Sequence, residues 1–434
     1  MLAATVALVL LSAGPSPGTP DSWVAALGSP RYAVREQADA ALTRLGRAAL
    51  SALRAASSSS DAEVRVRALA ILARIEGSLL AEATPVELDA RDRPLGDVLR
   101  ELHERTGVEL ASDFAPDLLA RRVTLAAPGP LPFWKAIDEL CSVAHLRYAP
   151  DSTGFRLREG ATPVALPVSD SGPFRSRVTS LHYQSEIQLG TASADDLAPG
   201  DAIPARQFYL QLLVAAEPRL ALVQDGPIRR LEAVDEHGQS LTLGGGSRTT
   251  LRSAGYLGVN ASAALRLRVD LAYPESPSRR IRLLKGAVPV VISARTGDPV
   301  VIRLTDGPGT VARNGQVVLG LREVRPATDD RPASIEVSLA SVDGASPPVG
   351  VGSDTEPESP SRPGSPRQQV EVLDAQGQSL PWFLAAQRYE GAETRLTLSL
   401  VPQSRPAEPV AVRFHRVTRV ATDVPFEFRD LPMP

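Results

Sequence analysis

A stretch of wording that occurs twice limits what this 434-residue chain can fold into. Arg230 to Leu243 reads RLEAVDEHGQSLTL, and Glu371 to Trp382 reads EVLDAQGQSLPW. Both carry Asp-x-x-Gly-Gln-Ser-Leu, the chemistry of a tight turn that needs a glycine and an Asx side chain. Each copy then enters an alternating strand and a proline-broken turn. These are LRLRVDLAYPESPSRRIRLL and TRLTLSLVPQSRPAEPVAVRF, and they close on Val288-Pro289 and Val424-Pro425. A repeat of this kind predicts two tandem copies of one supersecondary unit. Alternating apolar residues with Gly, Pro, Asp and Asn at intervals of about ten make that unit a β-sandwich.

The two copies are read as similar to immunoglobulin-like sandwiches, over 176–294 and 295–434. Residues 344–368, GASPPVGVGSDTEPESPSRPGSPRQ, are too rich in Pro, Ser and Glu to pack, so a disordered surface loop is expected there. A Pro/Ser linker is expected over 161–175.

The first 160 residues have a different texture. Met1 to Leu11 is apolar, too short to span a bilayer, and Ser12, Ala13, Gly14 and two prolines follow. This predicts a secretory signal peptide over 1–18, although no Lys or Arg precedes the apolar run. Residues 19–80 predict short helices. Val34, Ala38, Ala41, Leu42 and Leu45 fall at helical spacing after Ser29-Pro30. Ser60-Asp61-Ala62-Glu63 reads as a capping box before the stripe Val64, Ala68, Leu69, Leu72 and Ile75, with Arg65, Arg67 and Arg74 toward water. The wording LGSPRYAVREQADAALTRLGRAALSAL, then DAEVRVRALAILARI, resembles HEAT-type helical repeats over about one and a half repeats. That resemblance implies a protein-binding scaffold, or a helical cap for the next module.

Residues 84–160 predict the order β-α-β-β-α-β-β. Strands are expected at Val86 to Ala90, Val108 to Ser112 and Arg122 to Ala126. A hairpin is expected from Leu146 to Leu157. One helix opens at Pro94 with Leu95, Val98, Leu99 and Leu102 inward and stops at Gly107. A second opens at Pro132 with Phe133, Ile137, Leu140, Cys141 and Ala144 inward. The windows VELDARDRPLGDVLRELHERTGVEL and RVTLAAPGPLPFWKAIDELCSVAHLRYAPDSTGFRLRE resemble the short N-terminal domain of secretins and TonB-dependent transducers. The resemblance implies a partner-binding module without catalytic residues, and Trp134, Phe133, Leu99 and Leu102 are the candidate interaction residues. No run of barrel strands follows, so transport across an outer membrane does not carry over.

The charge balance gives no sign of a nucleic-acid surface. The net charge is −3, and the lysines number two, Lys135 and Lys285, so no basic stripe is expected. A single cysteine, Cys141, precludes an intrachain disulfide and reads as a small buried apolar residue. The five histidines, His103, His145, His182, His237 and His415, show no metal-ligand spacing. Asp235, Glu236 and Asp374 lack calcium-loop spacing and are expected to form turns. Gly244 to Gly246 is followed by no Gly-Lys-Ser/Thr, and Ser253-Ala-Gly255 has no nucleophile-elbow context. Glu101 and Glu104 read as a solvated helix face. Trp23, Trp134 and Trp382 read as core or interface anchors. Aromatic residues make up 4%, too few for a sugar-stacking platform.

The expectation is therefore a multidomain α+β chain. Helical repeats come first, then the small α/β domain, then a mostly-β half. It is read as an exported, periplasmic or extracellular, non-enzymatic binding or assembly module of a bacterial envelope. An unknown envelope protein is its partner, and no cofactor, metal, membrane span or small-molecule ligand is indicated. The alternatives are an enzyme, hydrolase or carbohydrate-active, with a site assembled from His182, His237, Asp235 and arginines, and a structural spacer.

Overall fold

The computed structural model describes residues 18–106, 114–126, 129–151, 154–160, 167–187, 204–243, 249–251, 264–314, 317–328, 331–341, 366–402 and 408–434. Several expected features lie outside them: the leader up to residue 17, the cap at Gly107, the strand at 108–112, and Gly244 to Gly246. Ser253 to Gly255, residues 161–166 and residues 344–365 lie outside them too. The chain divides into two compact units at Leu79/Leu80.

The first unit is helical: α1 (Pro20–Ala26), α2 (Tyr32–Leu45), a 3-10 turn over Gly46–Ala49, α3 (Leu50–Ala56) and α4 (Ala62–Leu80). Short helices are marginal alone. These bury one shared stripe of Leu27, Ala38, Leu42, Leu53, Ala68, Ile71, Leu72 and Ile75. Leu45, expected inside, is 37% exposed because α2 stops there at Gly46. The expected capping box is replaced by a simpler cap. The Asp61 carboxylate accepts the Glu63 and Val64 N–H groups at 2.9 and 3.3 Å, while Glu63 turns to Arg67 at 2.7 Å. Arg67 and Arg74 do more than face water, since they reach Glu36 and Asp39 on α2 at 3.0 and 2.7 Å.

The second unit begins with β1 (Pro85–Val86), β2 (Asp89–Pro94), α5 (Leu95–Thr106), α6 (Pro116–Ala120), β3 (Arg122–Ala126), β4 (Leu131–Pro132), α7 (Phe133–Ala144), β5 (Leu146–Asp151) and β6 (Gly154–Glu159). Its strands pair as three antiparallel two-stranded ladders, β1 with β4, β2 with β3 and β5 with β6. His145 ends α7 in the left-handed conformation, φ 52°. The α5 and α7 stripes meet over one core, and Ala215 from the following β region joins it.

The β region comprises β7 (Val168–Ser171), β8 (Phe174–Ile187), β9 (Pro204–Ala216), β10 (Ala221–Gln224), β11 (Arg229–Asp235), β12 (Thr249–Leu251) and β13 (Ala264–Leu271). Then come β14 (Arg280–Arg303), β15 (Val311–Asn314), β16 (Val317–Arg325) and β17 (Ser334–Ser341). The short α8 (Pro366–Gln369) leads into β18 (Val370–Leu373), β19 (Ser379–Leu380), β20 (Trp382–Glu390), β21 (Glu393–Leu400) and β22 (Ala411–Pro432). One five-stranded sheet runs β12-β13-β9-β8-β7, and another runs β20-β21-β17-β16-β15. The two have the same order by position. The repeated turns share their main bonds. Gln239 and Gln378 N–H donate to the Asp235 and Asp374 carboxylates at 2.7 and 2.8 Å. Gly238 and Gly377 sit at φ 82° and 76°, where glycine alone is unstrained.

The expected boundary at 294/295 falls inside β14, which runs unbroken from one core into the next. β14 and β22 pair antiparallel along their length, with one register shift between Thr296 and Val300. Val288, Val290 and Ile292 with Val424, Phe426 and Phe428 close the core over the first sheet. Val300 and Ile302 with Val412 and Phe414 close the core over the second. The first core is thus completed by the end of β22, which belongs to the second half, while the second core is built from residues 300–414 alone. Two further expectations are corrected. Part of the supposed linker is the β7–β8 hairpin, because Ser and Asp can alternate on an edge strand as well as fill a loop. Residues 366–368, assigned to a disordered loop, lie in α8, with Gln369 3% exposed.

Candidate functional site

The densest polar cluster joins the α/β module to the first sheet. Gly172 (φ 55°) turns β7 into β8, and a Cβ there would lie 2.5 Å from the Ala81 carbonyl. The hairpin sets Asp170 opposite Arg175. On α7, Trp134 and Asp138 are four residues apart and share a face. Arg175, 3% exposed, uses all five of its N–H donors. Two go to Asp170 at 2.6 and 2.7 Å, two to Asp138 at 2.6 and 2.7 Å, and one shares Tyr148 Oη at 2.8 Å. Since NH1 serves both Asp138 and Tyr148, the fork is saturated. The guanidinium also lies 5.1 Å from the Trp134 ring and 5.6 Å from Tyr148. Burial alone lowers the Arg175 pKa, but the bonds to Asp170, Asp138 and Tyr148 outweigh it and raise it, so the charge is fixed. Trp134 Nε1 donates to the Pro173 carbonyl at 3.0 Å.

The four candidate interaction residues are all interior. Phe133, Trp134, Leu99 and Leu102 are 1%, 2%, 6% and 1% exposed and form the module's core. Their helical stripe marks burial, so they do not form an external docking surface. Trp134 does anchor an interface, but an internal one. Cys141 is likewise buried, and burial first, with Asp138 adding, pushes its thiol up to about 12. A thiol held protonated is a poor nucleophile.

The residues proposed for a distant-residue enzyme do not converge. His182 Nε2 pairs with Ser180 Oγ at 2.7 Å on β8, and its ring stacks on Tyr209 at 4.7 Å. Among the described residues no carboxylate orients that imidazole. His237, 66% exposed, lies 3.8 Å from Asp235 on a different sheet. Among the described residues, no three of His, Cys, Asp and Glu are grouped to hold a metal. A polar cleft of about 560 Å³ is lined by Arg93, Asp97, Arg100, Glu101, Glu104 and Arg105. Its charges pair with each other, Arg93 and Arg105 with Glu101 at 2.6 and 2.8 Å and Arg100 with Asp97 at 2.7 Å.

A second cluster escaped sequence reasoning because cross-strand pairing assembles it. Glu371 on β18 accepts from Arg295 and from His415 at 2.9 Å, and forms an ion pair with Arg413 at 3.5 Å. The His415 bond, with Arg295 beside it, outweighs burial and holds the Glu371 carboxyl down at about 2. Folding therefore gains from ionised Glu371 above the unfolded value near 4.3 and loses that gain as pH falls toward 2. Glu371→Gln should cost about 3 kcal/mol near pH 7. The difference from the parent should vanish in urea titrations as pH drops from about 5 to 2. A constant difference across that range would refute the assignment.

A third feature is a sheet edge. β20 is nine residues long and stands at the end of its sheet, pairing with β21 alone among the described strands. Phe383 and Tyr389 on it are 41% and 42% exposed. A register shift between Leu384 and Ala386 bends it. No helix among the described residues is long and apolar enough to cross a membrane. No family model, curated protein or solved structure matches the chain.

Proposed function

We propose that this chain is an exported, non-enzymatic binding or assembly protein of the bacterial cell envelope. Its parts are HEAT-like helices, a module like the short N-terminal domain of secretins, and two immunoglobulin-like sandwiches. The observation that carries this reading is the position of β20 at the edge of its sheet among the described strands, with Phe383 and Tyr389 on it half-exposed. An open edge offers backbone donors and acceptors to an extended segment of a partner. The interior charge cluster at Arg175 supports it from the other side, since its donors are saturated by the chain itself.

Phe383→Lys places a charge on that edge without touching the core. It should abolish a photo-crosslink from position 385 to the envelope partner while shifting stability by less than about 0.5 kcal/mol. An undiminished crosslink would sink the edge as the docking site. The Ser180–His182 pair gives the enzyme reading its one foothold. Ser180→Ala should leave hydrolysis of activated esters by the purified chain at the buffer rate, as in the parent. A serine-dependent rate would reverse the assignment.

A further inference from the structure

The outer face of the six-stranded sheet carries a concentration of positive charge that the edge-docking reading does not use. On β22, Val412 and Phe414 point into the core, so Arg413, His415 and Arg419 stand on the opposite face. Cross-strand pairing adds Glu371 and Val301 opposite Arg413, and Arg295 opposite Val417. Two arginines and a histidine thus surround one carboxylate. Glu371 accepts from Arg295 and His415 and forms an ion pair with Arg413, and a third arginine, Arg419, donates to the neighbouring Gln368 Oε1 at 2.7 Å. Two positive charges remain in excess within the cluster before His415 is counted, on a chain whose net charge is −3. Arg295 and Arg413 are 43% and 34% exposed. The Nε of Arg413 is buried without a partner among the described residues, a state that polar groups in folded chains rarely keep. Val301, 43% exposed, adds an apolar neighbour.

We infer that this face binds an acidic peptide segment of the partner, its carboxylates taken by the outward Nη groups of Arg295 and Arg413, whose Nε groups are turned inward. The geometry suits carboxylates because guanidinium forks bind them through paired N–H groups. The inference rests on the binding-protein reading but uses a surface separate from the β20 edge.

The test is fluorescence anisotropy of the full chain with fluorescein-labelled hexaglutamate. Binding should weaken with salt. It should fall about fivefold in Arg413→Gln and further in Arg295→Gln/Arg413→Gln. Glu371→Gln removes the one opposing charge and should bind several-fold tighter, a change that loss of folding cannot mimic. Phe383→Lys should bind hexaglutamate as the parent does, so that failure of the edge and failure of this face are told apart. No binding of hexaglutamate, or equal binding by Arg413→Gln, overturns the inference. So does equal binding of inorganic phosphate, since that would make the site a general oxyanion site.

Discussion

Arg175→Met should destabilise the second unit by about 3–5 kcal/mol, the cost of leaving buried charges without their partner. Asp138 and Asp170 are 39% and 22% exposed and are held together by the same guanidinium. Without it, two carboxylates are left close together, with Lys135 at 3.7 Å from Asp170 as a more exposed counter-charge. The loss should therefore shrink when both are also neutralised, in Arg175→Met/Asp138→Asn/Asp170→Asn, because replacing a whole buried ion cluster costs far less than breaking it. Urea unfolding of the parent, the single and the triple variant measures both effects. If the triple variant is as unstable as the single, the role of Arg175 is packing against Trp134 rather than charge neutralisation.

Trp134→Ala should cost about 3–5 kcal/mol in the same measurement, since it removes a nearly fully buried indole and leaves a cavity. The ring stacks edge-on against Phe133 at 5.4 Å and leans on Tyr148 at 5.7 Å. Trp134→Phe keeps most of the volume and loses the bond to the Pro173 carbonyl. It should cost about 1–2 kcal/mol, the price of one buried unsatisfied acceptor. Equal losses in the two variants would mean that the hydrogen bond, and not the filled volume, holds α7 to the sheet.

The parts of this fold that local pattern governs were legible in the sequence. The stripes of α2, α4, α5 and α7 were readable because a helix repeats its buried face every three to four residues. The twin Asp turns were readable because Gly238 and Gly377 need a positive φ that few residues tolerate. Long-range pairing was not readable. Nothing local to β14 says that its second half serves the next core, because Pro-Val-Val-Ile occurs on both sides of Gly297, at 289–292 and at 299–302. The polar clusters were hidden for the same reason. Asp138 and Arg175 are 37 residues apart, and Glu371 and His415 are 44 apart. The module's interaction residues were misplaced because an apolar helical stripe looks the same whether it meets its own domain or a partner.

The paired β14 and β22 also govern the order in which the molecule can be made. Val424, Phe426, Phe428 and Leu431 belong to the core whose first strands are laid down before residue 220. During synthesis that core has no lid until the end of β22 leaves the ribosome, so the earlier half cannot mature ahead of the later one. A chain stopped at residue 410 should remain protease-sensitive across the whole β region, whereas two self-sufficient beads would leave the earlier one resistant.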